Sequence, residues 1–200
     1  MNAGHTSERV YDALRTRIVE HDFRPGDRLD PASLAEGLAS SVTPVRDALH
    51  RLVGENLVET ALSEGFRIPH VNLPQIQDLL GWNRQILRLA LQDWDAAKHA
   101  AYTAQPPATP AVGIGLAFKE IARRSRNQEH QRAIRSANAR LHAVRLVEDD
   151  LFPDREAELD QIETALQEPG AAGLRALIDR YHRRRRRVAP ELVRLLYRHA

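Results

Sequence analysis

The sequence predicts a mainly α-helical protein, in which three helices and a β-hairpin are followed by an all-helical bundle. Apolar residues recur at helical spacing along most of the chain, and residues 57–71 have the pattern of two short strands around a Gly-containing loop. Aromatic residues make up only 5% of the chain, and Leu, Ala and Arg dominate it, which also favours helix over sheet. We expect two domains, residues 1–72 and residues 73–200.

The first domain is predicted to begin with two helices. Val10, Leu14 and Ile18 lie four residues apart and predict a helix over Thr6–His21. The stretch FRPGDRL then predicts a Pro-Gly turn and a short extended piece, and a second short helix follows at about Pro31–Ala39.

A third helix is predicted over Thr43–Glu55, with Thr43 as the N-cap and Pro44 at the first helical position. The hairpin LVET-ALSEG-FRIPHV comes next. Three helices followed by a hairpin is the order of a winged helix-turn-helix domain. The face that the third helix would bury consists of Val45, Ala48, Leu49 and Leu52.

The second domain is predicted to be helical throughout. The stretch TAQPPATPAVGIG is a Pro/Gly break that no helix is expected to cross, and a further break is expected near RSRNQ. Pro153 ends a helix in the turn EDDLFPD. The predicted helices are Leu73 to about Tyr102, Leu116 to about Val147, Arg155–Leu166, Leu174 to about Val188, and a last short helix from Pro190.

Composition excludes several classes of protein. The chain has no Cys, so disulfides, thiolate zinc sites and Cys nucleophiles are excluded. Its first residues have no apolar signal core, and no apolar run approaches the roughly 20 residues that span a bilayer. We therefore expect a cytoplasmic protein with no membrane partner.

The net charge of +2 is unevenly distributed along the chain. Residues 1–72 carry 8 Arg and 11 Asp plus Glu, a net charge of −3, whereas residues 73–200 carry 21 Lys plus Arg and 16 Asp plus Glu, a net charge of +5. A nucleic-acid binder usually concentrates positive charge on the domain that contacts the nucleic acid. Here the domain with the winged-helix pattern is slightly acidic.

Residues 9–72 resemble the winged-helix domain of the GntR family of bacterial transcription regulators. The turn PGDRL, the helix start TPVRDAL and the wing GFRIP carry this resemblance at the family's spacing. The helical remainder resembles a shortened form of the FadR/VanR-type effector domain of the same family. The resemblance implies a homodimeric regulator that binds operator DNA and whose helical domain senses a small-molecule effector.

The third helix and the wing supply the predicted DNA contacts. Arg46 can donate a bidentate pair to guanine or hold a phosphate, and Thr43 with the first backbone N–H groups suits a phosphate. The wing would approach the minor groove or the backbone. The predicted DNA-binding residues are Ser41, Thr43, Arg46, His50, Gly65 and Arg67.

Three positions depart from the family's pattern of positive charge. Val42 and Ser33 stand where family members usually have Arg, and Glu64 stands where a basic wing residue is common. Each lost phosphate contact lowers the affinity for DNA. It also reduces, by about 0.9, the slope with which the logarithm of the association constant falls against the logarithm of salt concentration. An alternative interpretation is that TPVRDAL simply packs a stable winged helix, whether or not DNA binds.

The resemblance also implies a divalent metal held by an Asp and three His inside the bundle, but the ligands are mostly replaced. Asn138 stands in place of the Asp, His142 fits, and Leu159 replaces the next His. The third His position falls on Tyr181 or, with one residue of slip, on His182. A transition-metal site needs at least three ligands in fixed geometry, so we expect no metal and no cofactor.

A metal-free effector site stays open as a prediction. Trp82, Trp94, Arg84, Arg88 and His142 would line an apolar pocket with a rim that attracts anions. The alternatives are that both Trp residues belong to the core and that His142 is a buried polar group with a hydrogen-bond partner. The predicted ligand-binding residues are Arg84, Arg88, Asn138, His142 and Tyr181.

The run HRRRRR at residues 182–187 is the most charged stretch. Five consecutive Arg wrap around more than one helical turn, so a solvated or intersubunit helix end is favoured over a second nucleic-acid patch.

Two functions other than that of a regulator stay open. One is a diverged family member whose helical domain acts as an enzyme or a ligand carrier, and the other is a protein–protein interaction module. The sequence has no nucleophile–base pair and no paired carboxylates at a known spacing, so we expect that the protein is not an enzyme.

Overall fold

The computed structural model describes residues 3–61, 65–98, 107–168 and 170–198, with the side chains of residues 6–60 and of the described residues from 65 onward. Its packing divides the chain into two units: residues 1–71 with 196–200, and residues 72–195. The predicted mainly α class is confirmed, because helices form most of both units and one small antiparallel sheet lies in the first. None of the helices among these residues is both long and apolar enough to cross a bilayer.

The first unit consists of three helices and a three-stranded sheet. Helix α1 packs against α3, and α2 also packs against α3. The sheet has the order β1-β3-β2, so the hairpin strand β3 is central. The elements are α1 (Ala3–Val19), β1 (Arg28–Leu29), α2 (Pro31–Gly37), α3 (Val42–Gly54), β2 (Glu59–Ala61) and β3 (Gly65–Arg67).

The predicted N-cap of α3 is wrong. The helix begins at Val42, and Ser41 is its N-cap with an extended backbone at φ −86° and ψ 163°. Pro44 consequently occupies the third helical position rather than the first. It is tolerated there because the first-turn N–H groups of a helix have no intrahelical acceptor, so the missing N–H of proline costs nothing.

The PGDRL turn holds the third strand in place. Gly26 donates its N–H to the Ile68 carbonyl at 3.0 Å, and the Ile68 N–H donates to the Asp27 carbonyl at 2.9 Å. Gly26 has φ +93°, a left-handed conformation that residues with a Cβ rarely adopt. A Cβ there would also lie 2.4 Å from Cε1 of His70.

Replacing Gly26 by Ala should therefore lower the free energy of unfolding by about 1–2 kcal/mol, because the left-handed backbone is strained for any L side chain. Urea unfolding of the full chain measures this. Gly54→Ala is the matched control, since a Cβ at Gly54 meets no atom within 4 Å. Equal unfolding midpoints for the two variants would contradict the argument.

The second unit is a helical bundle. Helix α4 packs against α5, α6 and α8, while α7 packs against α5 and α8. The elements are α4 (Leu73–Gln92), a short 3-10 turn (Ala96–Lys98), α5 (Pro110–Arg123), α6 (Gln128–Leu146), α7 (Arg155–Gln167) and α8 (Ala172–Arg187). Helix α9 (Ala189–Arg198) follows, and its residues from 196 onward group with the first unit.

Two predicted helix bounds in this unit are wrong. Helix α4 ends at Gln92, well before Tyr102. The next residue, Asp93, binds the α5–α6 connection, because its carboxylate accepts a hydrogen bond from the Asn127 N–H at 3.0 Å. Residues 99–106 lie outside the described part of the chain. Helix α5 begins inside the predicted Pro/Gly break, with Thr109 as N-cap and Pro110 in its first turn. The break near RSRNQ is present between α5 and α6.

Candidate nucleic-acid interface

One face of α3 is buried and the opposite face is exposed. Val45, Ala48, Leu49 and Leu52 are each at most 1% exposed, as the sequence predicts. Thr43, Arg46 and His50 lie three and four residues apart on the exposed side. Four of the predicted DNA-binding residues, these three and Ser41 at the helix start, are therefore accessible along α3.

The N-terminus of α3 has the chemistry of a phosphate site. Ser41 makes no side-chain capping bond, so its hydroxyl does not occupy the first-turn N–H groups. The N–H groups of Val42 and Thr43 have no intrahelical acceptor, and they point out of the N-terminal end of the helix. Such groups, together with the positive end of the helix dipole, favour an anion.

Most arginines of the first unit already bind the protein itself. Among the described residues up to residue 71, the guanidinium groups of Arg24, Arg28 and Arg46 have no hydrogen bond or ion pair. Arg46 is thus the exposed cation on α3 that is available to a ligand. The engaged pairs are Arg9 with the Leu38 carbonyl, Arg15 with Glu55, Arg17 with Asp22, Arg51 with Glu8, and Arg67 with Glu59.

The wing places its two predicted contact residues differently. Gly65 is exposed and has φ +78° at the start of β3. Arg67 is half-buried and its guanidinium pairs with the carboxylate of Glu59 on β2, which offsets its charge. Glu64 lies outside the described residues.

The His50 side chain of α3 packs against the wing. Its ring packs edge-on against Phe66 of β3 with the ring centroids 4.9 Å apart. Phe66 is 4% exposed and anchors the central strand in the core. The contact holds the exposed side of α3 and the wing strand in one arrangement.

Inside the bundle, Asn138 and Tyr181 meet a third side chain, Arg145. The Asn138 amide donates to the Gly115 carbonyl at 2.9 Å and accepts from Arg145 at 3.0 Å. The Tyr181 hydroxyl accepts from Nε of Arg145 at 3.2 Å. Arg145 is 2% exposed, and His142, one turn earlier on α6, is 8% exposed. The guanidinium of Arg145 therefore occupies the polar interior.

Little space remains around this guanidinium. The cavity that Arg145, Tyr181 and Glu148 help to line has a volume of about 10 Å³, which is room for one water molecule. The predicted shared pocket of Trp82, Trp94, Arg84, Arg88 and His142 is wrong, because Trp82 is 53% exposed and Trp94 packs near the Arg124 guanidinium.

Arg84 lies instead in an open groove between α4 and α8. Its Nε donates to Oδ1 of Asp179 at 2.7 Å, and this hydrogen bond holds the pKa of the Asp179 carboxyl below its usual value. Arg88 is half-buried, and its charge lowers the same pKa further. The groove has a volume of about 420 Å³.

The prediction of a solvated run at residues 182–187 is wrong for two members, His182 and Arg185. Arg185 is 1% exposed, and it binds the buried carboxylates of Glu148 and Glu158. Its guanidinium also lies 3.7 Å from the ring centroid of Tyr181. The reason is helical spacing, because Ile178, Tyr181 and Arg185 fall on one buried stripe of α8.

His182 is fully buried beside Phe118, on which its ring stacks at a centroid distance of 5.7 Å. Its Nδ1 lies 2.8 Å from the Ile178 carbonyl oxygen and its Nε2 lies 2.8 Å from Oδ1 of Asn83. Burial lowers the pKa of His182 to about 3, so the ring is neutral. A neutral ring has one N–H, so it can donate to only one of these two oxygens.

This burial makes stability depend on pH. The unfolded chain binds the proton with a pKa of about 6.5, and the folded chain with a pKa of about 3, so stability is full above pH 6.5 and is lost as the pH falls towards 3. The maximal slope for one such group is about 1.4 kcal/mol per pH unit. Urea unfolding at pH 7, 6 and 5 should show this loss, and His182→Gln should show a smaller one. Identical slopes would contradict the assignment.

Residues 6–68 match the family model described as bacterial regulatory proteins, gntR family. They contain most of α1, all of α2 and α3 with its exposed face, and the wing described above. We refer to this matched stretch as the gntR-family domain.

Curated relatives of the gntR-family domain are transcriptional regulators by name. The chain is 37% identical over 84 residues to the HTH-type transcriptional regulator McbR of Escherichia coli (strain K12), a stretch that covers 41% of this chain and 38% of McbR. It is 28% identical over 144 residues to the Nta operon transcriptional regulator of Aminobacter aminovorans, covering 65% of this chain and 69% of that protein.

Solved structures extend the likeness of fold beyond the gntR-family domain. A Rhodococcus sp. RHA1 protein described as a GntR transcriptional regulator superposes with a TM-score of 0.71 at 18% identity, covering 94% of this chain and 97% of the other. E. coli McbR/YncC gives a TM-score of 0.65 at 20% identity, with 93% and 97% covered. The fold of both units therefore resembles that of these two proteins.

Sequence reasoning missed Arg28 of the gntR-family domain. It lies on β1, directly opposite Arg67 of the wing strand, and it is exposed. The alternation of exposed Arg28 and buried Leu29 was the available signal, but the pairing of this short piece with the wing is a long-range contact that the local pattern does not encode.

Proposed function

We propose that the chain is a transcriptional regulator that binds operator DNA as a dimer through α3 and the wing. The observation that carries the proposal is the exposed, unpaired Arg46 on the outward face of α3, between Thr43 and His50. A helix that presents such side chains near its N-terminus fits the major groove, where Arg pairs with guanine.

In this proposal the contacts divide into two kinds. Arg46 and His50 face the base edges, where sequence is distinguished. Ser41, Thr43 and the first N–H groups of α3 hold a phosphate. Arg28 and Gly65 approach the phosphate backbone of the DNA beside the wing. Phosphate contacts fix the register of the protein on the duplex without distinguishing its sequence.

The affinity should be modest and its salt dependence shallow. Residues 1–72 have a net charge of −3, and five of their arginines are already engaged within the protein. If two or three phosphates are neutralised, the logarithm of the association constant falls with a slope of about −2 to −3 against the logarithm of salt concentration.

Fluorescence anisotropy with the DNA upstream of the protein's own gene tests the proposal. We expect binding that depends on sequence and weakens between low and moderate salt, with one dimer bound per site. Light scattering of the free protein measures the dimer. Absence of sequence-dependent, salt-sensitive binding at low ionic strength would overturn the proposal.

We also propose that the helical unit works without a divalent metal. Within the described ranges, no group of three or more His, Asp or Glu is placed to hold a metal ion. The Asn138 amide and the Tyr181 hydroxyl are bound to Arg145, whose charge would repel a second cation. Neither Zn²⁺, Mn²⁺ nor EDTA should change the melting temperature. A rise with one of these ions that EDTA reverses would contradict this.

The enzyme and interaction-module alternatives receive no support from the described residues. The relatives named above are transcriptional regulators, which favours the regulator for this chain.

A further inference from the structure

The groove between α4 and α8 is concave and strongly basic. It has a volume of about 420 Å³, within the range of small-molecule sites, and it is open to solvent. We call it the arginine groove. Its lining residues are Gln77, Arg84, Asp179, Arg183, Arg186 and Arg187.

The positive charge of the arginine groove is largely uncompensated. Four of its side chains are cationic and one is anionic, and Asp179 already accepts a hydrogen bond from Arg84. In the part of the chain that the structure describes, Arg183, Arg186 and Arg187 have no ion pair and no side-chain hydrogen bond. Like charges three and four residues apart destabilise a helix by about 0.2–0.5 kcal/mol per pair, so this arrangement has a cost.

Helix electrostatics explain part of this pattern. Cations near a helix C-terminus are stabilised by the dipole, and Arg186 and Arg187 are in the last turn of α8. Arg84 comes from α4 and lines the same groove, where its ion pair with Asp179 of α8 holds it. Convergence of guanidinium groups from two helices on one groove is what a bound anion would require.

Gly81 supplies an independent observation. It lies in the middle of α4, four residues after Gln77 and three before Arg84, and is therefore on the same face of the helix. A Gly there costs about 0.5–1 kcal/mol relative to Ala. A Cβ at Gly81 would meet no atom within 4 Å, so no packing contact requires the glycine. Gly81 does not itself line the groove, but a side chain there would project from the face of α4 that carries Gln77 and Arg84.

We infer that the arginine groove binds a small anion that carries two or more phosphate groups. Guanidinium groups form bidentate, charge-assisted hydrogen bonds to phosphate oxygens, and three unpaired arginines match a ligand with about three negative charges. The bound anion would be the effector of the proposed regulator, and only this assignment of a role rests on the proposed function. Binding itself does not depend on it.

Isothermal titration calorimetry of the full chain with pyrophosphate tests the inference. Arg183→Gln/Arg186→Gln should weaken binding at least tenfold, because it removes two of the three unpaired cations. The matched control is Arg126→Gln/Arg135→Gln, which removes two exposed charges of the same unit outside the groove and should leave binding unchanged. Melting temperatures establish that all variants fold.

Gly81→Leu provides a test without a change of charge. It adds bulk to the α4 wall and, by the helix propensity of Leu, should not destabilise α4. Binding of pyrophosphate should weaken, whereas Gly81→Ala should weaken it less.

Three results would overturn the inference. One is the absence of saturable pyrophosphate binding, and another is binding that the groove variants leave unchanged. The third is a preference for a tricarboxylate or for random-sequence duplex DNA over pyrophosphate, which would assign the groove to another anion. Operator anisotropy with and without pyrophosphate separates the two proposals: saturable binding with no operator binding would reject the regulator and leave the anion site standing.

Discussion

Replacing Arg46 by Ala should abolish operator binding in the range that anisotropy can measure. Arg46 is the exposed guanidinium on α3 that lacks a partner among the described residues, so its charge is available to DNA. A bidentate Arg–guanine pair contributes about 1–3 kcal/mol of discrimination, and a phosphate contact contributes about 0.9 to the salt slope. The affinity should therefore fall by roughly 5- to 150-fold, which takes a modest affinity out of the measurable range.

The converse change should tighten binding. Val42 is 39% exposed at the first position of α3, where an added Arg would reach the same surface as Thr43 and Arg46. Val42→Arg should raise affinity at low salt and steepen the salt slope by about 0.9. A cation at a helix N-terminus costs about 0.3–1 kcal/mol of stability, which the folded protein can absorb.

Arg24→Ala is the matched control for both variants. It removes an exposed, unpaired guanidinium of the same unit from a turn outside α3, and it should leave sequence-dependent binding intact. Circular dichroism shows whether each variant is folded. If Arg46→Ala and Val42→Arg are both silent, α3 is a scaffold and the proposed function is wrong.

The buried face of α3 was predictable because it depends on local spacing. Val45, Ala48 and Leu52 repeat at three and four residues, and only a helix places such residues on one side. The helix start was less predictable. Ser41 and Thr43 are both good N-caps and Pro44 favours an early helical position, so the sequence supports two starts. The extended backbone dihedrals of Ser41 show that the helix begins at Val42.

The interior of the bundle was not predictable from local patterns. Arg145 binds Asn138 within its own helix, but its bond to Tyr181 joins residues 36 positions apart. Arg185 meets Glu148 across 37 positions. A charged residue in a run of arginines gives no local sign of burial, because the carboxylate that compensates its buried charge lies on another element.

The second large effect should come from Arg185. Its guanidinium donates to Glu148 at 2.8 Å and also binds Glu158, and all three residues are at most 2% exposed. Glu158 keeps a second partner in Arg184. Glu148 has no other ion pair among the described residues, so removal of Arg185 leaves a buried carboxylate without compensation.

Arg185→Leu should therefore lower the free energy of unfolding by about 3–5 kcal/mol, as expected when one partner of a buried ion pair is deleted. Urea unfolding at pH 7 measures the loss, and Arg186→Gln, an exposed neighbour on α8, should change it by less than about 0.5 kcal/mol. Adding Glu148→Gln to Arg185→Leu should recover part of the stability, because a neutral amide costs less to bury than an unpaired carboxylate. If the double variant is no more stable than Arg185→Leu, the loss comes from packing against Tyr181 and Phe152 rather than from charge.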